Sequence, residues 1–270
     1  MLEGVVPFPP EFAARYRERG YWEDRSIADQ LRERFVRYAD RVAVIDGERT
    51  LTYAQLDAAS TRLALNLRDL GLQPLDRVVV QLPNVLEFVV LYCALQKLGA
   101  IPIASLPSHR YHEVSQFVQL AGAVACVAPD RQGDFAFAPL LARLRAECPT
   151  LRHGILLGEA PSGFVALQEL IERPSHRDAA ELEGIAIDPT DPAVFQLSGG
   201  TTGVPKLIPR THNDYIYNSK MAAQVTGVGP ESCVLIVVPI AHNLALACPG
   251  VQGYLLHGGR IVLSPSTRPA

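Results

Sequence analysis

The chain has 270 residues, of which 48% are hydrophobic and 20% are charged, and its formal net charge at pH 7 is −3. This composition is typical of a globular protein with enough apolar material for one large domain or two modest ones. A slightly acidic chain has no electrostatic attraction for nucleic acid or an anionic membrane surface, so we expect neither partner.

The cysteines, the N-terminus and the apolar segments together indicate the cellular compartment of the protein. The five cysteines are odd in number and lack Cys-x-x-Cys spacing, which argues against a disulfide framework and a zinc site. The N-terminus has no basic region followed by an apolar core, as a signal peptide would. The most apolar segment, 85–95, is interrupted by Glu87 and is shorter than the roughly 20 residues of a membrane-spanning helix. We therefore expect a soluble, cytoplasmic protein.

The N-terminal part of the sequence predicts an arm, two helices and a hairpin. Residues 1–25 mix prolines, aromatics and charges, and we expect them to lie as an arm over the body. Ser26 is typical of an N-cap and predicts a helix over Ser26–Tyr38. Asp46-Gly47 between two apolar runs predicts a β-hairpin, and Thr52–Gly71 has the apolar spacing of a second helix.

From residue 76 onward, strands and helices alternate. Short β-branched runs predict strands, and longer apolar runs predict helices, one of them closed by Gly99. The predicted elements are a strand at 76–82, a helix at 84–98, a strand at 100–103, a helix near 113–120, and strands at 123–128 and 150–157. This alternation favours an α/β fold in which helices flank mainly parallel sheets.

A segment rich in proline and aspartate, 187–192, marks a joint in the chain. Beyond it the sequence predicts a strand at 193–195, a helix at 214–224 capped by Thr211 or Asn213, a strand at 233–238, a helix at 243–256 and a strand at 260–263. We expect three units: an N-terminal arm and first helix at 1–40, a first α/β subdomain at 41–187, and the start of a second α/β subdomain at 188–270.

The stretch from Gln196 to Lys206 carries the clearest chemical signal. Glycines, threonines and a serine lie between a predicted strand and a predicted helix, so backbone N–H groups and hydroxyls can surround a polyphosphate. Lys206 adds a mobile positive charge. The stretch differs from the P-loop of ATPases, in which Gly-Lys-Ser/Thr runs straight into the helix. On the residues alone, a surface turn rich in glycine and threonine is the alternative.

Residues 198–206 read Ser-Gly-Gly-Thr-Thr-Gly-Val-Pro-Lys. This run resembles the phosphate-loop signature of the adenylate-forming enzymes, which include acyl-CoA synthetases, luciferases and peptide-synthetase adenylation domains. Leu51–Leu56 and Ala94–Pro102 resemble two structural motifs of the same family. The resemblance implies an incomplete large N-terminal domain of the adenylate-forming fold.

Within that family, the chain most resembles the stand-alone aryl-acid adenylating enzymes of siderophore synthesis, which activate salicylate or 2,3-dihydroxybenzoate. The similar segments are 104–110, 207–212, 215–217 and 241–250. The resemblance implies that an aryl carboxylate attacks the α-phosphorus of ATP and releases pyrophosphate, with Mg²⁺ bridging phosphate oxygens. The acyl group of the aryl-adenylate then passes to the phosphopantetheine thiol of an aryl carrier protein.

The resemblance also implies roles for individual residues. Those that would hold the β- and γ-phosphates of ATP are Ser198, Gly199, Gly200, Thr201, Thr202, Gly203 and Lys206. His242 would lie near the carboxylate and the thiol entrance, Asn243 would hydrogen-bond the ortho-hydroxyl, and Leu244 and Cys248 would line the aryl pocket. His242 and Lys206 are the residues assigned to catalysis, and no residue is assigned as a metal ligand. On the residues alone, a His-Asn pair is more typical of a helix cap.

Leu244 and Cys248 discriminate between two substrates. In the family, dihydroxybenzoate enzymes tend to have Tyr and Ser at these positions, whereas salicylate enzymes tend to have an apolar residue and Cys. A hydroxyl at the ring 3-position needs a polar partner, and a cysteine is a poor donor and acceptor. We therefore favour salicylate. Without the resemblance, Cys248 is equally typical of a small buried apolar residue.

The chains of the family continue well beyond the point that corresponds to residue 270. The acidic residue for Mg²⁺, the aspartate for the ribose, the hinge and the small C-terminal domain with its catalytic lysine would follow. We expect a truncated product, a fragment or one half of a split enzyme, inactive without a separate C-terminal half. The alternatives are a 2,3-dihydroxybenzoate or other carboxylate–AMP or –CoA ligase, and a non-catalytic remnant that binds nucleotide or a partner.

Overall fold

The computed structural model describes residue 2, residues 4–198 and residues 206–265. The strands in this part are β1 Val42–Asp46, β2 Arg49–Thr52, β3 Arg77–Val80, β4 Ile101–Ala104, β5 Ala125–Pro129, β6 Arg131–Gln132, β7 Phe135–Ala136, β8 His153–Leu157, β9 Val165–Ala166, β10 Pro192–Leu197, β11 Leu207–Thr211, β12 Cys233–Ile236 and β13 Arg260–Leu263. The helices are α1 Pro10–Glu18, α2 Ile27–Arg37, α3 Tyr53–Asp69, α4 Leu86–Leu98, α5 Tyr111–Ala121, α6 Phe137–Glu147, α7 Leu167–Glu172, α8 Ala180–Glu183, α9 His212–Val225, α10 Asn243–Ala247 and α11 Gly250–Leu256.

The start signals predicted for α2 and α3 are confirmed. The Ser26 hydroxyl accepts a hydrogen bond from the Asp29 N–H at 3.1 Å, and the Asp29 carboxylate accepts one from the Ser26 N–H at 3.2 Å. Thr52 and Gln55 form the same reciprocal pair at the start of α3. Such capping boxes satisfy backbone donors that the first helical turn leaves without intrahelical partners.

The larger sheet has seven strands in the order β11-β10-β4-β3-β5-β8-β9. Its pairs are parallel, except that β11 runs antiparallel to β10. In the centre, Val79 of β3 lies opposite Ile103 of β4 and Cys126 of β5. These parallel strands are buried and their ends meet at one edge, which confirms the predicted α/β class.

The second sheet has four strands in the order β12-β13-β1-β2. The predicted hairpin forms the antiparallel pair β1-β2, and β13 pairs in parallel with both β1 and β12. Helix α4 contacts β4 of the larger sheet and β1 of this one, as well as α3. Because it is enclosed on all sides, every residue of α4 is buried, Glu87 and Lys97 included.

The origin of the strands in each sheet differs from the sequence expectations. Both sheets draw strands from either side of residue 187: β1 and β2 join β12 and β13, and β10 and β11 join β4. The division of the chain at 187/188 therefore does not separate the two sheets. As a boundary between domains it stays a prediction. Strands β6, β7, β9 and β11 and helices α1, α6, α7 and α8 were not predicted from the sequence.

The single helix predicted at 243–256 is wrong, because Pro249 divides it into α10 and α11. A proline in a helix has no N–H to donate, and its ring clashes with the carbonyl four residues earlier. Gly250 follows with φ of +40°, and a Cβ there would lie 2.0 Å from the Ala245 carbonyl oxygen. The break therefore requires both residues. Within the described part of the chain, no helix has the length and apolarity needed to cross a bilayer.

Candidate functional site

The predicted phosphate loop joins two paired strands, β10 and β11. At its two ends, the Ser198 N–H donates to the Lys206 carbonyl at 3.0 Å, and the Lys206 N–H donates to the Ser198 hydroxyl at 2.9 Å. Gly199, Gly200, Thr201, Thr202 and Gly203 lie outside the described residues. The hairpin thus fixes where the loop leaves the sheet, at the carboxyl end of β10.

A cavity of about 400 Å³ opens beside that point, at the carboxyl ends of β4 and β10. Ligands of α/β proteins bind at this edge of a sheet. Among the residues assigned from the sequence, Ser198, His242 and Asn243 line it together. The other lining residues are Ala104, Leu106, His109, Gln196, Leu197, Ile208, Arg210 and Ala241.

His242 and Asn243 reach the cavity at the start of α10. His242 is the N-cap of this helix, and its Nδ1 accepts a hydrogen bond from the Leu244 N–H at 3.3 Å. An accepting Nδ1 leaves the proton of the neutral ring on Nε2. The segment before the cap is held by Asn84, whose Oδ1 accepts from the Ile240 N–H at 2.8 Å. The pair therefore both caps a helix and lines the cavity.

Asn243 is held by a hydrogen-bond chain from two buried residues. The Gln196 Nε2 donates to the Tyr215 hydroxyl at 3.1 Å, and that hydroxyl donates to the Asn243 Oδ1 at 3.1 Å. Burial raises the pKa of Tyr215 well above its ordinary value, so the phenol keeps its proton. The guanidinium of Arg210 lies 4.9 Å from the centre of the Tyr215 ring and is paired with Asp214.

Leu244 and Cys248 occupy a different place from Asn243. Both line a second cavity of about 290 Å³ beside β12, together with Val237 and Tyr254. Leu244 is 55% exposed there, and Cys248 is half-buried. The described structure thus groups His242 with Asn243, and Leu244 with Cys248, so the assignment of all four to one aryl pocket stays a prediction.

His109 also lines the cavity, although it was not predicted as a site residue. Its Nδ1 accepts from the Leu106 N–H at 3.1 Å and lies 3.1 Å from the Ser105 hydroxyl. Its ring stands edge-on to Phe117, with 5.3 Å between centroids. Burial lowers the pKa of His109, which favours the neutral ring. Its position just after the carboxyl end of a strand was the signal available in the sequence.

The donor set suits an anion better than a metal ion. A hydroxyl at Ser198 and an ammonium at Lys206 flank the loop, and both can bind phosphate oxygens. Within the described ranges, no cluster of three or more His, Cys, Asp or Glu side chains could hold a metal ion. Ser198 and Lys206 therefore offer donors suited to an anion, their assignment to the phosphates of ATP stays a prediction, and we derive no Mg²⁺ site from the described residues.

A family model described as AMP-binding enzyme matches residues 31–270. The chain belongs to the AMP-binding enzyme family. Its fold agrees with this: apo MbtA of Mycobacterium smegmatis superimposes with a TM-score of 0.89 at 39% identity, covering 97% of this chain and 48% of that one. The structure therefore corresponds to the N-terminal domain of the adenylate-forming enzymes.

Several relatives in the AMP-binding family align along nearly the whole chain. Triostin synthetase I of Streptomyces triostinicus is 47% identical, covering 100% of this chain and 49% of that protein. The 2,3-dihydroxybenzoate-AMP ligase of Bacillus subtilis is 42% identical, covering 100% of this chain and 48% of that protein. A salicyl-AMP ligase of Mycobacterium tuberculosis is 40% identical, covering 99% and 47%. The chain thus spans about half the length of each of these relatives.

Proposed function

We propose that this chain supplies the nucleotide loop and part of the acid site of an ATP-dependent ligase that activates an aryl carboxylic acid as its aryl-adenylate. The observation that carries the proposal is the cavity beside β10. It brings the end of the phosphate loop, Ser198, together with His242 and Asn243. A site for adenylation needs this neighbourhood, because the carboxylate must reach the α-phosphorus of a bound nucleotide.

Salicylate is the favoured acid. An amide at Asn243 can hydrogen-bond a ring substituent beside the carboxylate, and relatives named for salicylate or 2,3-dihydroxybenzoate support an ortho-hydroxylated acid. The acyl group would then pass to the phosphopantetheine thiol of an aryl carrier protein. One relative is named salicyl-S-ArCP synthetase, which supports this kind of acceptor.

ATP would be bound by the phosphate loop, from Ser198 and the residues that follow it to Lys206. Lys206 is exposed at the end of the loop, where its ammonium can neutralise phosphate charge. His242 would lie beside the carboxylate, and because its Nδ1 accepts from the Leu244 N–H, its Nε2 is the nitrogen that can donate. Mg²⁺, when bound, would neutralise phosphate oxygens. We expect little adenylation by the chain alone and more when the C-terminal half of a relative is supplied.

The test is ATP–pyrophosphate exchange by the purified chain, alone and mixed with the C-terminal half of the Bacillus subtilis ligase. Salicylate, 2,3-dihydroxybenzoate, benzoate and decanoate are compared in parallel. We expect exchange in the mixture, strongest with salicylate, and a selective loss for ortho-hydroxylated acids in Asn243→Ala. Asn218→Ala is the matched control, because this amide bonds the Ala247 carbonyl outside the cavity.

Each outcome discriminates between the alternatives. If exchange is strongest with 2,3-dihydroxybenzoate or decanoate, that acid would become the proposed substrate in place of salicylate. Exchange by the chain alone would show that the other half is dispensable for the first step. No exchange in either setting would overturn the ligase proposal and favour a remnant that binds nucleotide or a partner.

A further inference from the structure

The Asn243 side chain has two chemically different ends, and the structure distinguishes them. Its Oδ1 accepts the proton of the Tyr215 hydroxyl at 3.1 Å. The same hydroxyl accepts from Gln196 Nε2, so its single proton is directed to Asn243. Both supporting side chains are buried, Tyr215 fully and Gln196 with 6% exposure. The bond from Gln196 to Tyr215 is therefore shielded from solvent, and the Tyr215 hydroxyl has no exposed surface of its own.

The other end of the amide is free to meet a ligand. Asn243 lines the cavity and is half-buried, and its Nδ2 donates to no residue in the described part of the chain. An amide nitrogen carries two N–H donors and accepts nothing. Since Oδ1 is engaged by Tyr215, the group that Asn243 offers to the cavity is a donor.

We propose that Tyr215, oriented by Gln196, is a positioning residue that fixes the Asn243 amide with its N–H donors toward the cavity. The site then selects aryl acids whose ortho substituent accepts a hydrogen bond, and it discriminates against those with an ortho amino group. The identity of the ligand as an aryl acid rests on the proposed function. The orientation of the amide does not.

The chemistry of the two ortho groups supports the discrimination. The hydroxyl oxygen of salicylate has lone pairs that can accept from Asn243. The amino nitrogen of anthranilate shares its lone pair with the ring and is a poor acceptor. It would therefore place its own N–H donors opposite the N–H donors of Asn243. A buried donor left without an acceptor costs enough to lower binding by on the order of tenfold or more.

Packing alone could also explain a buried tyrosine at this position. The Tyr215 carbonyl accepts from Gln252 Nε2 at 3.1 Å, and its ring contacts Arg210. Tyr215→Phe keeps the ring and the backbone bond and removes only the hydroxyl. This substitution therefore separates the positioning role from the packing role.

The first experiment measures the amide orientation by NMR on the 270-residue chain, with labelled Asn, Gln and Tyr. We expect a strong NOE from the Gln196 amide protons to the Tyr215 hydroxyl proton, because that donor lies 3.1 Å from the oxygen. No comparable NOE from the Asn243 amide protons is expected. A strong NOE from Asn243 would overturn the proposal. So would a hydroxyl proton that exchanges too fast to observe, since a buried hydrogen-bonded proton is protected.

The second experiment measures selectivity in the chain completed by the C-terminal half of the Bacillus subtilis ligase. In Tyr215→Phe, we expect the ratios of kcat/KM for salicylate over anthranilate and salicylate over benzoate to fall about tenfold. If Tyr215 has a purely structural role, Tyr215→Phe would lower kcat/KM for all three acids in proportion and leave the ratios unchanged. That result would overturn the proposal. Tyr53→Phe is the matched control, because the hydroxyl of this buried tyrosine donates to the Gly259 carbonyl at 2.7 Å and lies outside the cavity.

The two experiments separate the possible failures. If the completed wild-type chain adenylates no acid, the proposed function fails, and the NMR result still decides the orientation of the amide. If adenylation occurs but the ratios do not respond to Tyr215→Phe, the positioning proposal fails alone.

Discussion

The imidazole of His212, at the start of α9, should make the stability of this protein depend on pH. The ring is 3% exposed, and its Nδ1 accepts a hydrogen bond from the Ile27 N–H at 3.2 Å. Burial lowers the pKa of His212 from 6.5 to about 4, although the nearby Asp29 and Asp188 carboxylates act in the opposite direction. The folded state therefore binds this proton less readily than the unfolded state.

The sign and size of the effect follow from this difference. At pH 7.5, about one unit above the unfolded pKa, the ring is almost entirely neutral in both states and adds little to the pH dependence. Between pH 6.5 and about 4 the unfolded state gains the proton first, so the free energy of unfolding falls as the pH falls. Between pH 7.5 and 5.0, the loss is about 2 kcal/mol from this group.

The variant His212→Asn provides the comparison, because an Asn Oδ1 can accept from Ile27 but does not titrate. Urea unfolding of both proteins is followed at pH 7.5 and 5.0 by fluorescence of Trp22, the single tryptophan, which is buried in the N-terminal arm. We expect the wild type to lose about 2 kcal/mol more than the variant. Other titrating groups, His109 and His153 among them, are common to both proteins and cancel. Equal losses in the two proteins would refute the reasoning.

Two further predictions concern the edge of the smaller sheet and the break between α10 and α11. Strand β12 lies at the edge of the smaller sheet, and its Leu235 is 59% exposed, so Leu235→Lys should reduce concentration-dependent association measured by light scattering. Val36→Lys on α2 is the control and should not reduce it. Equal scattering by the two variants would count against association through this edge. Gly250→Ala should lower the free energy of unfolding in urea by about 3 kcal/mol, because the added methyl would be strained against the Ala245 carbonyl. Gly229→Ala, where the space around the glycine is open, should lower it little. Similar losses in the two variants would contradict this explanation.

Local signals determined much of the secondary structure. Ser26 and Thr52 begin helices because a side-chain oxygen can satisfy a backbone N–H a few residues away. Gly99 ends α4 because it adopts a positive φ at no steric cost. The Ser198–Lys206 motif likewise identified the family, since its residue types and spacing are visible in one short stretch. Neighbouring residues are enough to decide these features.

Only the tertiary structure decided which strands share a sheet and which side chains share a cavity. Strand β1 pairs with β13, more than two hundred residues later, and no local pattern specifies such a partner. The same long-range packing placed His109, Gln196 and Tyr215 around Asn243, and it turned Leu244 and Cys248 toward another cavity. The sequence by itself determined the chemistry available, and folding determined which groups meet, because contacts between distant segments depend on the whole core.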